Sequence, residues 1–329
     1  MMHRLATTTG LYPLPDWAKD ELSALKGHQK EDLVDGDERS EVTNAYLRAR
    51  SEIVDVQREA GLDRIVEGQL RWDDMLAHPL TVHDAVETGG IVRYYDNNNF
   101  YRDPIVTGEL VHDGDVAADL EAAQSDDCGP LQAVLPDPYT LADLATDDYY
   151  GDEREFLAAV ASFLADEVAA FPDVETLFLL APSLAVSPPT DDLGGVTDAL
   201  ETVASATDAE VVVHPYWDAP PGRVYQALLD ADVDALGYDL VAAADASLTN
   251  AREYGTPETV SLGVVDGQNT LVETRETIDE RVAAFESVAD GVDTAYLTTN
   301  AETFYIPVNR FEAKLAALGA AARPPEVQA

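Results

Sequence analysis

Two polar side chains that could do chemistry lie directly after short apolar runs of this sequence. His214 ends the run 211–213, and Asp266 follows the run 263–265. An imidazole in such a place can bind a metal ion or act as a general base. A carboxylate there can accept backbone N–H groups or act on a substrate. For both residues we favour the structural alternative, which is a hydrogen-bonded histidine and a carboxylate that organises a loop.

A third polar segment runs from Tyr94 to Arg102, where aromatic residues flank three consecutive asparagines. Asparagine tolerates the left-handed backbone conformation, so the segment could be the tip of an ordinary hairpin. Alternatively, it could form a polar edge over a ligand. In that case Asn98 and its neighbours would make hydrogen bonds, and Arg102 could bind a carboxylate. The residues alone leave both interpretations open.

Several other chemistries have no support in the sequence. No glycine-rich phosphate loop precedes a helix, and no serine lies in a nucleophile-elbow pattern. The single cysteine, Cys128, leaves neither a disulfide within the chain nor a site with several cysteine ligands. The sequence therefore does not predict nucleotide binding, acyl transfer through serine, or a cysteine-rich metal centre.

The charge balance is strongly acidic. The chain has 63 Asp and Glu against 20 Lys and Arg, a formal net charge of −43 spread over its whole length. High salt screens the repulsion between so many like charges, so we expect a halophilic protein in a cytoplasm of very high salt concentration. No basic stripe could neutralise phosphates, so no nucleic-acid partner is expected. Apolar runs are too short to span a bilayer, and Met1–Gly10 lacks the apolar centre of a signal peptide, so we expect a cytoplasmic protein without a membrane partner.

The elements that must position these side chains form a repeating pattern. About eight short apolar runs alternate with amphipathic segments, which is the pattern of a (β/α)8 TIM barrel. We expect one barrel domain over residues 1–329, with a hairpin insertion at 91–112 after the second strand and a tail at 323–329. The predicted strands are Thr7–Tyr12, Arg64–Gly68, Leu131–Leu135, Thr176–Leu180, Glu210–His214, Ala235–Tyr238, Val260–Val265 and Thr294–Thr299.

With these strand ends in order, the chain resembles cobalamin-independent methionine synthase and its archaeal single-barrel relatives. Residues 7–13 are similar to the family's opening Gly-Ser-Tyr/Phe-Pro strand, and residues 67–75 to its Asp/His-Gly-Glu…Asp-Met segment. Residues 135–140 resemble Leu-Pro-Gly-Pro-Tyr/Val-Thr, and residues 179–184 occupy the place of Ile-Asp-Glu-Pro-Ala-Leu. The resemblance covers nearly the whole chain and keeps the order of the motifs.

The resemblance also indicates which half of the family's long form this chain is similar to. That form has two barrels, and only the C-terminal one binds zinc, through a His, two Cys and a Glu. His214 matches the zinc histidine, but the other three positions contain Tyr216, Asp239 and Thr303. This degenerate set would hold zinc poorly. Residues 95–101, 238–241, 262–269 and 298–308 instead resemble the zinc-free N-terminal barrel.

The resemblance therefore implies a component of methionine biosynthesis that is not active alone. It would work with a zinc-bearing barrel on a separate chain, which transfers a methyl group from a methyl-folate or related pterin to homocysteine. No zinc or other cofactor is expected in this chain, and no catalytic residue is assigned. The residues expected to face a small-molecule ligand are Tyr12, Gln69, Asn98, Arg102, His214, Asp239 and Asp266.

Two alternatives stay open. The chain could be a stand-alone methyltransferase with a methyl-corrinoid donor, in which His214, Asp239 and Asp266 hold a metal ion. It could also be a ligand-binding or scaffold subunit without a part in turnover.

Overall fold

The computed structural model describes residues 2–24, 40–95, 97, 99–112, 114–125 and 128–323. Its main sheet has eight strands in the order β1-β11-β10-β9-β8-β7-β5-β2, and all neighbours are parallel. The bounds of these strands are His3–Ala6 (β1), Ile65–Val66 (β2), Leu131–Pro136 (β5), Thr176–Leu180 (β7), Glu210–His214 (β8), Ala235–Asp239 (β9), Thr259–Val265 (β10) and Thr294–Thr299 (β11).

The two outer strands of this sheet meet each other. The backbone N–H of Asp63, just before β2, donates to the Ala6 carbonyl at 2.8 Å, and the Ala6 N–H donates to Asp63 Oδ2 at 2.8 Å. Further along, the Tyr12 N–H donates to the Gly68 carbonyl at 3.0 Å. These bonds bring β1 beside β2, so the sheet curls on itself as the predicted TIM barrel requires.

Helices connect the strands and cover the barrel. Their bounds are Asp16–Ala24 (α1), Ser40–Ala60 (α2), His78–Thr81 (α3), Asp115–Ser125 (α4), Pro138–Asp143 (α5), Glu153–Ala169 (α6), Pro182–Val186 (α7), Leu193–Ala204 (α8), Gly222–Asp230 (α9), Ala244–Tyr254 (α10), Arg275–Glu286 (α11) and Val308–Ala322 (α12). None of them is both long and apolar enough to cross a membrane, as far as the described residues show.

The longest helix, α2, shows how the sequence pattern produces this packing. Val42, Ala45, Ala49 and Ile53 recur at helical spacing and are buried on one face. The helix packs against α12, and the contact is close because a Cβ on Gly319 would lie 1.8 Å from the Ala60 carbonyl oxygen. Only glycine fits at this crossing.

The predicted hairpin insertion is present, but it begins earlier than expected. Strands Val86–Arg93 (β3) and Phe100–Val106 (β4) pair antiparallel, and the short strand Thr146–Asp147 (β6) pairs parallel with β4. The pairing register shifts between Thr88 and Ile91, where two glycines form a bulge. The sequence did not predict the beginning of β3, because two consecutive glycines, Gly89 and Gly90, are typical of a turn rather than of a strand.

The prediction for the first strand was wrong. Thr7–Tyr12 was expected, but the strand is His3–Ala6. Thr7 still donates its N–H to the Leu297 carbonyl, but the chain then turns at Gly10 and Leu11, whose φ values are 78° and 45°. The β-branched threonines have strand propensity, but their hydroxyls serve in side-chain hydrogen bonds at the end of the barrel.

Candidate functional site

The carboxyl ends of the strands are covered by an aromatic cluster, which we call the aromatic cap. It consists of two groups, from the hairpin and from the segment after β8: Tyr94, Tyr95, Tyr101, Tyr216 and Trp217. The Tyr94 and Tyr101 rings stack with centroids 4.5 Å apart, and the Trp217 ring contacts Tyr216 edge-on at 4.7 Å. The hairpin therefore closes over the face on which barrel enzymes place their chemistry.

A buried carboxyl group, Glu302, lies against this cap. Its Oε1 accepts hydrogen bonds from Gln268 Nε2 at 3.0 Å and from Asn99 Nδ2 at 3.4 Å. Burial raises the pKa of Glu302 to about 7, and the nearby Asp74 carboxylate contributes to the increase. Glu302 Oε2 and Tyr216 Oη are buried and interact electrostatically, but neither has a well-formed hydrogen bond to a described residue.

We expect Glu302 to make the stability of the protein depend on pH. Between the ordinary glutamate pKa and about 7, the folded state holds a proton that the unfolded state has lost, so stability falls as pH rises through this window. The side chain of the Glu302→Gln variant cannot titrate. Between pH 5 and pH 7, its free energy of unfolding should therefore fall less steeply than that of the wild type, by about 1 kcal/mol per pH unit. Urea unfolding at several pH values measures this difference. Parallel curves for the two proteins would contradict the assignment.

His214 lies at the end of β8 and is completely buried. Its Nε2–H donates to the Asn300 carbonyl at 3.3 Å, and its Nδ1 accepts from the Ser261 hydroxyl at 3.1 Å. Burial lowers the pKa of His214 to about 4, and Asp239 only partly opposes this. The side chain is therefore a neutral imidazole with both ring nitrogens already in use.

Asp239 ends β9 and is buried as well. Its Oδ1 accepts the N–H groups of Val241 and Ala242, each at 2.8 Å. Its Oδ2 accepts the Trp217 N–H and the Asn300 side-chain amide, each at 3.0 Å. Four hydrogen bonds saturate this carboxylate, which fixes the loops after β8, β9 and β11 relative to one another.

The remaining predicted ligand residues are distributed over the rim and the interior. Asp266 is half-buried and accepts the N–H groups of Gln268 and Asn269 at 2.9 Å and 3.1 Å. Arg102 is 48% exposed, and its Nε lies 3.6 Å from Asp73 Oδ2. Asn98 lies outside the described residues, so its role stays a prediction.

Tyr12 and Gln69 hold strand ends together below the cap. The Tyr12 hydroxyl hydrogen-bonds to Thr8 and donates to Gln57 Oε1 at 3.1 Å. Gln69 Oε1 accepts the Leu11 N–H at 2.8 Å, and its Nε2 donates to the Val134 carbonyl at 3.1 Å. The structure therefore brings His214, Asp239 and Asp266 to one face of the barrel and uses Tyr12 and Gln69 as buried links.

The residues at the degenerate zinc positions do not fit zinc. His214 has no free ring nitrogen, and Asp239 is saturated. The hydroxyl of Thr303 donates to the Leu11 carbonyl at 3.4 Å, and a buried tyrosine such as Tyr216 is a poor ligand while protonated. Among the described residues, no group of three or more His, Cys, Asp or Glu side chains could hold a metal ion.

Four residues at this end of the barrel have a strained backbone. Leu11, Gln69, Tyr95 and Trp217 have φ values of 45°, 45°, 40° and 66°, although none is glycine. Apart from glycine, no other described residue has a φ in the left-handed region. Such strain is typical of functional regions.

A buried ionic network lies beside β2. The Arg50 guanidinium, which is 2% exposed, hydrogen-bonds to the Asp119 carboxylate, and its Nε lies 3.5 Å from Glu67 Oε2. Burial raises the pKa of Glu67 to about 7; Asp119 adds to this increase, and Arg50 opposes it. The network ties α2 and α4 to the end of β2.

A separate cavity of about 430 Å³ lies outside the barrel, between α5, α6 and the segment before α8. Its wall includes Tyr139, Phe156 and several carboxylates, and the Arg154 guanidinium pairs with Asp192 beside it. None of the predicted ligand residues that the structure describes lines this cavity.

The sequence pattern did not single out Glu302, Tyr216 or Trp217 as ligand-facing residues. Glu302 and Trp217 lie in the polar segments that follow β11 and β8, so their position after a strand was the available signal. What distinguishes these residues is their contact with the hairpin and, for Glu302 and Tyr216, their burial, and neither property can be read from a local sequence pattern.

Comparison with known proteins gives a consistent family. Residues 82–290, more than half of the chain, match the model of the cobalamin-independent synthase N-terminal domain. Methionine synthase of Sulfolobus acidocaldarius is 22% identical over 281 residues, which cover 83% of this chain and 78% of that protein.

Two solved structures share the fold. A B12-independent methionine synthase from a Shewanella species, solved with selenomethionine, superimposes with a TM-score of 0.77 at 18% identity and covers 98% of this chain and 97% of that one. A vitamin-B12-independent methionine synthase described as putative, from Listeria monocytogenes, has a TM-score of 0.70 at 16% identity, with 98% of both chains covered. On the strength of the family match, the chain belongs to the cobalamin-independent methionine synthase family.

Proposed function

We propose that this protein is the zinc-free component of a methionine synthase. It would act with a zinc-bearing barrel on a separate chain, which transfers a methyl group from a methyl-folate or related pterin to homocysteine. The protein itself would contribute binding and positioning at its barrel mouth, since its described residues offer no set of zinc ligands with which to activate a thiol.

The state of the residues at the zinc positions carries this proposal. Zinc must bind the homocysteine sulfur as a thiolate, and three or four good donors must hold the metal. His214 and Asp239 instead make hydrogen bonds with every atom that could serve as a ligand. The match to the family's N-terminal domain supports the same conclusion.

The test is a reconstituted methyl-transfer assay. The purified chain, a zinc-bearing barrel from the same cells, and the mixture are each given homocysteine and a methyl-folate donor. We expect methionine only from the mixture, and zinc only in the partner. Bound zinc near one equivalent in this chain, or methionine formed by it alone, would contradict the proposal.

The assay also separates the alternatives. Full activity of the zinc-bearing partner alone would make this chain a scaffold subunit. Activity of this chain alone with a methyl-corrinoid would make it a stand-alone methyltransferase. That alternative needs a metal ion held by the chain, and the described residues offer no set of ligands for one.

A further inference from the structure

We propose that Glu302 and the aromatic cap form a binding site for a small onium ligand, a positively charged nitrogen or sulfur that carries methyl groups. The site lies at the barrel mouth to which the proposed function assigns binding, but the inference needs neither the zinc-bearing partner nor a folate.

The first argument is the charge of the site. Glu302 is 3% exposed, and within the described part of the chain it forms no ion pair with lysine or arginine. The groups that donate to it or interact with it are neutral: the side-chain amides of Asn99 and Gln268, and the hydroxyl of Tyr216. A second carboxylate, Asp74, is close enough to raise the pKa of Glu302. A buried carboxyl group without a counter-charge is an attractive place for a cationic ligand, which would compensate its ionised form.

The second argument is the surrounding aromatic surface. Three tyrosine rings surround the Trp217 ring. The distances between ring centroids are 6.0 Å to Tyr94, 5.8 Å to Tyr95 and 4.7 Å to Tyr216. The faces of such rings attract cations, and tryptophan does so most strongly. Methyl groups on the cation would also pack against these rings, which a hydrated ammonium would not. The combination of aromatic rings and a carboxylate therefore selects a methylated cation.

The third argument is that the site has unused polar atoms. Trp217 Nε1 is buried without a hydrogen bond to a described residue, and Glu302 Oε2 and Tyr216 Oη, which are buried as well, interact with each other but with no other described side chain that donates to them. Native interiors leave few such atoms, and those that occur at a strand-end face indicate a place for a ligand. An onium ion needs no hydrogen bond itself, so the carboxylate Oε2 can contact it through charge alone.

Access to this site requires the cap to open. Tyr94 and Tyr216 are buried, whereas Tyr95, Tyr101 and Trp217 are only half-buried and form the outer layer. Tyr95 and Trp217 also have positive φ values, so a change of backbone conformation at these two residues would relieve strain. The ligand would enter between them.

The test uses tetramethylammonium as the probe and the intrinsic fluorescence of the whole chain as the signal. The chain has three tryptophans, so Trp217→Phe identifies the part of the signal that comes from the cap. Tert-butanol is the matched neutral probe. We expect saturable binding of tetramethylammonium only, and its affinity should increase as pH rises from 6 to 8, since Glu302 must lose its proton.

Variants then assign the charge. Glu302→Gln should weaken tetramethylammonium binding about tenfold or more and remove its pH dependence. Glu175→Gln is the matched control. Glu175 directly precedes β7, at the opposite end of the barrel, and its half-exposed carboxylate pairs with Arg64. It should leave the affinity unchanged.

Three results would overturn the inference: no saturable binding by the wild type, equal binding of tert-butanol, or unchanged affinity in Glu302→Gln. If that variant does not fold, the pH dependence of the wild type decides by itself, because a flat profile is incompatible with a titrating carboxyl group. The two-chain methyl-transfer assay can succeed or fail independently of these measurements, so the two proposals are distinguishable.

Discussion

Replacement of Arg50 with alanine should lower the free energy of unfolding by about 3–5 kcal/mol. The substitution leaves Glu67 buried without its guanidinium and leaves Asp119 with Arg71 alone, whose Nε lies 3.6 Å from Asp119 Oδ1. An uncompensated buried charge is among the most costly defects a protein can carry. Urea unfolding in concentrated KCl measures the loss. Because both carboxyl groups can take up protons, the loss should be smaller at pH 5 than at pH 8.

Arg48→Ala is the matched control on the same helix. Arg48 is 56% exposed and pairs with Glu21 at the surface, so its removal should cost less than about 1 kcal/mol. Similar losses for the two variants would show that the Arg50 network contributes no more than a surface ion pair does.

The second large effect is expected at Asp239. Asp239→Ala would leave three backbone N–H groups and the Asn300 amide without their acceptor, and should lower the free energy of unfolding by about 3–5 kcal/mol. The loss has a local signature as well. Trp217 is held through its own N–H, so its fluorescence should report a displaced aromatic cap at urea concentrations where the barrel is still folded.

Asp266→Ala serves as the control for Asp239. Asp266 also follows a barrel strand, but it is half-buried and caps only the N–H groups of Gln268 and Asn269 in an exposed turn. We expect a loss of about 1 kcal/mol and an unchanged Trp217 signal. A loss at Asp266 equal to that at Asp239 would mean that the four bonds of Asp239 do not act as a clamp.

Much of the barrel could be predicted because its strands are buried on both faces. Thr176–Leu180 and Glu210–His214 are such mostly apolar runs, and the structure has both strands with the predicted bounds. The first strand could not be placed in this way. Threonine suits a strand and also a buried side-chain hydrogen bond, and only the fold decides between the two.

The site was harder to predict than the fold. His214 and Asp266 were recognised because a titratable residue at the end of an apolar run is visible in one segment of sequence, and Asp239 was named through the resemblance to the family. Glu302 acquires its properties from Asn99, Tyr216 and Asp74, which come from other parts of the chain. Burial and a shifted pKa arise from such assembly, so local patterns cannot report them.

The strained backbone at Leu11, Gln69, Tyr95 and Trp217 has a consequence for heat tolerance. Each residue in this conformation costs about 1–3 kcal/mol, and glycine would avoid most of that cost. The protein thus gives up several kilocalories of possible stability to hold large side chains at one end of the barrel. Selection for thermal resistance alone would therefore replace these four residues with glycine first. The large side chains that shape the barrel mouth would then be lost together with the strain.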